Sequence, residues 1–205
     1  MGQYSDVIPV TITADTVALD ADGISVAASV GNNAALVIGG ALADSGSVTL
    51  SHGRLITILS AGDDSSKSFT VVGTDVNGDS QTETVTGANA GTATSSKYFK
   101  TIASITAVGN PAGNVSAGIN ASAADAIFTM RSRLKGMFLT STATAGEVDF
   151  LTSSPAGTSI MKLNSVSDAA ATRDVTIPNE GVVFTSGIYI QYTVSTFLTM
   201  TVFHA

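Results

Sequence analysis

The chain has 205 residues, of which 44% are hydrophobic, 6% aromatic and only 12% charged, and its formal net charge is −7. That length fits one large or two small domains, and a chain this apolar without a block of like charge is not disordered. The absence of Cys excludes disulfides, thiolate metal sites and cysteine nucleophiles, and the acidic balance argues against nucleic acid, whose phosphates need clustered Lys and Arg.

Met1 to Asp6 has neither the basic start nor the apolar stretch of a secretory leader, and Asp6 stands where a myristoylation signal needs Ser or Thr. The longest nearly apolar run, Ala34 to Ala43, falls short of the roughly 20 residues that cross a bilayer and is interrupted by Gly39-Gly40. A soluble protein without a membrane partner is expected.

Period-2 patterning dominates the chain. Ile8, Val10 and Ile12 alternate with Pro9, Thr11 and Thr13, which predicts a half-buried strand, and Pro9 places it at an edge. Thr16 to Asp20 reads as a short turn ended by Asp22-Gly23. Asn33 to Ala43 is the best helix candidate, but Gly31, Gly39 and Gly40 allow one turn at most. Arg54 to Leu59 is apolar on both faces and reads as a central strand. Ser68 to Thr74 and Ser80 to Thr86 flank Asp75-Val76-Asn77-Gly78-Asp79, a strong hairpin signal. Lys100 to Val108 and Asn114 to Ile119 look like the next pair, turned at Gly109-Asn110-Pro111.

From Ala117 to Asp125 small residues replace the β-branched pattern, which predicts a domain boundary. Strand signals resume at 126–131, 136–142, 147–151, 159–163, 172–177, 181–184, 188–193 and 197–204, with turns at Asn179-Glu180-Gly181 and Ser186-Gly187. The expectation is an all-β protein of two β-sandwich domains: an Ig-like one over residues 1–120 and a jelly-roll-like one over 121–205. The last strand sets Leu198, Met200 and Val202 on one face and Phe203 with Phe197 on the other. Apolarity on both sides implies cover from its own domain or from a neighbouring chain, so Leu198, Met200, Val202 and Phe203 are the expected oligomer interface.

Little chemistry is visible. A Ser-His-Asp triad would have to use His52 or His204, and no G-x-S-x-G elbow is present. The three Glu (Glu83, Glu147, Glu180) and the turn-bound Asp residues make a poor source of a glycosidase carboxylate pair. No phosphate-cradling glycine motif occurs. Asp75, Asn77 and Asp79 begin like a calcium loop, but Ser80 and Thr86 stand where Gly and a bidentate Glu are needed, so a plain turn is the better reading. Asp63-Asp64 would add oxygens only if the loops converged. No enzyme activity and no cofactor are expected. Arg131, Arg133 and Lys135 form the one basic cluster, suited either to a solvated strand face or to docking on an acidic protein. Residues 1–13, with Ile8, Val10 and Ile12 on the apolar face behind the polar stretch Gly2 to Asp6, suit an arm that pairs with a neighbour's sheet edge.

Arg54 to Asp75, Gln81 to Thr92 with Lys97 to Ile102, and Pro178 to Phe184 with Gly187 to Ile190 and Val202-Phe203-His204 resemble β-rich modules of small virion proteins in podovirus- and cyanophage-like tailed bacteriophages. The resemblance covers most of the chain beyond about residue 30 and brings no catalytic residues with it. It implies a virion structural protein assembled in the bacterial cytoplasm. The first expectation is a capsid decoration (cement) protein, a homotrimer bound to the major capsid protein or another virion protein. The alternative is a tail-fibre, spike or head-fibre component that recognises the host surface.

Overall fold

A computed structural model describes residues 6–165 and 170–205. Gly2 to Ser5 of the expected arm therefore lie outside the described residues. The chain is all-β. Its fifteen strands, in order, are β1 (Ile8–Thr13), β2 (Asp20–Ala28), β3 (Ala43–Asp44), β4 (Ser47–Ser60), β5 (Ser68–Thr74), β6 (Ser80–Thr86), β7 (Thr92–Val108), β8 (Val115–Phe128), β9 (Ser132–Ser141), β10 (Gly146–Thr152), β11 (Thr158–Ser165), β12 (Thr172–Thr176), β13 (Val182–Phe184), β14 (Ile188–Thr193) and β15 (Phe197–His204). No helix occurs among the described residues. The chain divides into a central unit, Val17–Ala123, and a terminal unit that joins Met1–Thr16 to Ala124–Ala205.

In the central unit the strand order is β6-β5-β7-β4-β8, with β2 on β8 and β3 on β4. One core gathers Ile24, Ile56, Ile58, Phe69, Phe99, Ile102, Ile105 and Ile119, all essentially buried. Each such side chain contributes about 1.5–3 kcal/mol by leaving water. The expected hairpin of β5 and β6 forms, closed by Gly78 at φ 88°. Strand β4 carries a wide bulge: Thr49 pairs Thr101, yet Arg54 already pairs Phe99. Bulges re-aim side chains, and here Arg54 is fully buried.

One expectation changes in this unit and two gain detail. At 33–43, where one turn at most was expected, no helix forms and the middle of the segment runs along β7: Leu36 N–H donates to Ile105 O (2.8 Å) and Ala107 N–H to Ala34 O (3.0 Å), so this pairing outweighs the Ala/Leu preference for helix. Strands β7 and β8 are consecutive but do not pair, because β4 lies between them. The small residues at 117–125 are not a linker. They lie inside β8, and the predicted boundary does fall among them, between Ala123 and Ala124. Ala117, Ala123 and Ala124 are fully buried, and a Cβ on Gly118 would run into the backbone of Asp20 and Ala21. At Ala117 and Gly118 the small residues reflect close approach of β2. Strand β2 was itself hidden by Asp22-Gly23, and the first half of β7 by its Ser/Thr texture.

The terminal unit packs two antiparallel sheets. One has the order β1-β15-β9-β12, with β13 also on β9; the other carries β11, β10 and β14. Met137, Leu139, Phe197, Met200 and Val202 from the first sheet and Val148, Phe150, Ile188 and Ile190 from the second are buried, and the Tyr192 and Phe197 rings meet at 4.8 Å. Strand β1 is an edge, as Pro9 required, but it pairs along its whole length with β15 of its own chain. It therefore belongs with residues 124–205 and not with a domain spanning 1–120. Ile12 is buried within this unit, Val10 is half-buried and Ile8 exposed. The expected interface on β15 is likewise revised. A bulge between Phe197 and Thr199 turns Leu198 out to 51% exposure, whereas Met200 and Val202 are core, so the strand is covered by its own chain.

Candidate functional site

The described side chains offer no reacting pair open to solvent. Ser132 Oγ lies 3.1 Å from His204 Nδ1, the nearest approach to a serine-histidine dyad. Both residues are buried in the sandwich, the Phe128 ring stacks at 4.8 Å from the imidazole, and Ser132 also donates to the Ala205 carbonyl. Burial holds the imidazole below its ordinary pKa, as expected for a packed structural histidine. His52 sits half-buried in the β4 bulge. Two of the three glutamates are engaged in the fold as well. Glu83 accepts the backbone N–H groups of Ser96 (2.7 Å) and Lys97 (2.9 Å), and Glu147 pairs with Lys162 at 2.7 Å.

The acidic turn is a plain turn. Asp75 Oδ1 accepts Asn77 N–H (2.8 Å) and Asp79 N–H (3.0 Å), so that carboxylate oxygen is spent on the turn's own backbone. Asp63 and Asp64 precede β5 while Asp75 to Asp79 follow it, and seven residues of strand separate them by about 23 Å at the usual rise. The two acidic groups do not converge. No group of three or more His, Cys, Asp or Glu suited to a metal occurs among the described residues.

What the terminal unit does present is a broad outer sheet face. Register places Thr13, Thr199, Thr140 and Thr172 in one row across four strands, Thr11, Thr201, Phe138 and Asp174 in the next, and Pro9, Phe203, Gly136 and Thr176 in a third. Directly opposed residues share a face. Asp174 is the one charge in these rows, and Phe138 is 43% exposed at their centre. Thr11 and Thr201 hydroxyls bond at 2.8 Å, which helps hold the rows in register.

The basic cluster borders this face. Arg131 is exposed just before β9, and Arg133 and Lys135 are half-buried, both donating to the Glu180 carbonyl at 3.2 and 3.0 Å. Lys135 is the extra residue of a bulge against β15, where Phe203 pairs Gly136 and His204 pairs Leu134. Of the residues expected to contact partners, Arg131, Arg133, Lys135, Leu198, Phe203, Ile8 and Val10 are exposed or half-exposed on the terminal unit. Ile12, Met200 and Val202 are not. The reading from sequence missed Phe138 and Asp174, because only cross-strand register reveals that they are neighbours. No known family model matches the chain, and comparison with curated proteins and with solved structures returns no match.

Proposed function

We propose that this chain is a structural protein of a tailed-bacteriophage virion, and within that class a capsid decoration protein that binds and stabilises the assembled head. The observation that carries the reading is the outer face of the β1-β15-β9-β12 sheet, three rows of threonine, phenylalanine and proline with a single carboxylate, bordered by the chain's one basic cluster. A face so poor in charge loses water at little cost when it meets a large partner, and Arg131, Arg133 and Lys135 orient that meeting toward an acidic shell. The similarity of texture to phage virion modules supports the same reading. Binding only the assembled shell stabilises it by mass action, which needs no catalytic group. The proposed assembly is a homotrimer, with contacts sought at Leu198, Phe203 and Phe138 in place of the buried Met200 and Val202.

Labelled protein viewed on particles by electron microscopy tests the reading: signal over the whole head supports decoration, and signal restricted to the tail overturns it. A tail-fibre, spike or head-fibre role is the second reading. It is favoured by Phe138 itself, an exposed aromatic flanked by Thr201 and Asp174, since an apolar ring beside hydroxyl and carboxylate acceptors suits a saccharide. Phe138→Ala should then abolish binding to host envelopes while leaving shell binding intact. Loss of shell binding alone favours decoration.

A further inference from the structure

We propose that the loop pole of the central unit, built from residues 60–64, 87–91 and 110–114, binds a calcium ion through the carboxylate of Asp64. Backbone bonds lock the three loops together. Ser60 N–H donates to Gly91 O (2.9 Å), Ala61 N–H to Asn114 O (2.9 Å), Asp64 N–H to Ala88 O (2.9 Å) and Ala90 N–H to Gly62 O (2.8 Å). Inside this pole Asp64 is completely buried. Its Oδ1 accepts one bond, from Ala112 N–H at 2.7 Å, and its Oδ2 has no hydrogen-bond partner. Four residues away in the same loop, Ser60 is 1% exposed and its Oγ is also without a partner. Asp63, next to Asp64, is engaged separately with Ser65 through Oδ1, at 3.1 Å to the N–H and 2.6 Å to the hydroxyl.

A buried carboxylate held by one neutral N–H and no ion pair is costly, and an unsatisfied buried oxygen calls for a ligand. The donors are all oxygen, with no His or Cys in the three loops, which selects a hard cation over a transition metal. With one carboxylate and one hydroxyl as the orphan oxygens, the rest of the shell falls to backbone carbonyls and water, an irregular set that calcium tolerates and magnesium, with its strict octahedron, does not. So few charged ligands place the affinity in the weak range of roughly 0.1–1 mM. This inference is independent of the virion reading.

The test uses the full chain, stripped with EDTA and then heated in calcium chloride up to about 10 mM against magnesium chloride at matched ionic strength. Calcium should raise the unfolding temperature of the central unit by roughly 4–8 °C, and magnesium by much less. Asp64→Asn should remove the response, and Ser60→Ala should weaken calcium binding several-fold. Asp75→Asn with Asp79→Asn should leave the response unchanged. Titration calorimetry on the wild type and on Ser60→Ala keeps the test decisive where Asp64→Asn does not fold. An unchanged wild-type melting temperature with no heat of calcium binding overturns the proposal. So does a response that disappears with the Asp75 and Asp79 substitutions but survives Asp64→Asn.

Discussion

Arg54 shows how a polar residue becomes core. Its guanidinium donates through Nε to Asn120 O at 3.0 Å and through Nη1 to Val17 O at 3.0 Å, and Nη2 also bonds Asn120 O. The guanidinium reaches those carbonyls from its buried position beside the β4 bulge. Arg54→Met keeps the volume but removes these bonds, and should cost about 3 kcal/mol in denaturant unfolding. His204 gives a pH signature. Its folded pKa lies below the unfolded value near 6.5, so between the two the unfolded chain binds more protons. Stability is then full above about pH 6.5 and falls as the pH is lowered through that value. The urea midpoint of the terminal unit should drop between pH 7.5 and 5.5, roughly the window of histidine titration, and His204→Gln should flatten that slope.

At the level of elements, β8 and β1 carry the clearest consequences. Gly118 lies against the backbone of β2, and backbone cannot yield as a flexible side chain can. Gly118→Val should therefore destabilise the central unit by about 3 kcal/mol or more, despite valine's preference for strands. The same close packing predicts that broad-specificity proteolysis will spare residues 117–125, since a paired strand is a poor substrate. Strand β1 was expected to be an arm that orders on a neighbour. Because it pairs with β15 from Ile8↔His204 to Thr13↔Thr199 and buries Ile12, removing residues 1–13 should lower the melting temperature of the terminal unit by several degrees. A truncated chain that melts like the full one would mean this strand contributes no stability. Loss of particle binding in the truncated chain would report unfolding as much as lost contact, so it is a poor test of attachment.

Over the whole molecule, charge is scarce and its placement matters more than its sum. The chain is acidic, yet Arg131, Arg133 and Lys135 gather at one end of an almost uncharged face. Arg131→Glu, Arg133→Glu and Lys135→Glu together should weaken attachment to bare capsid shells by tenfold or more at low salt. The difference should shrink as added salt shortens the screening length below its roughly 8 Å physiological value. Phe138→Ala should weaken attachment at every salt concentration, because apolar contact is not screened. Sedimentation of the wild type at micromolar concentration tests the homotrimer, and a stable monomer would remove it.

Composition and alternation by themselves determined that this protein is all-β and placed nearly every strand after Ala126, because period-2 patterning records which residues leave water on a two-faced sheet. Pro9 marked an edge and Asn77-Gly78 a hairpin turn, since both depend on local backbone preference alone. Tertiary structure decided what depends on neighbours distant in the chain. It showed that Ala117 and Gly118 are small because β2 packs closely against them, that Met200 and Val202 are core while Leu198 is surface, and that Arg54 and Asp64 are buried. Each of those outcomes was set by a bulge, a register or a loop contact, and none of these leaves a period in the sequence. The row that joins Thr11, Thr201, Phe138 and Asp174 has the same origin: four strands far apart along the chain become neighbours only when the sheet forms.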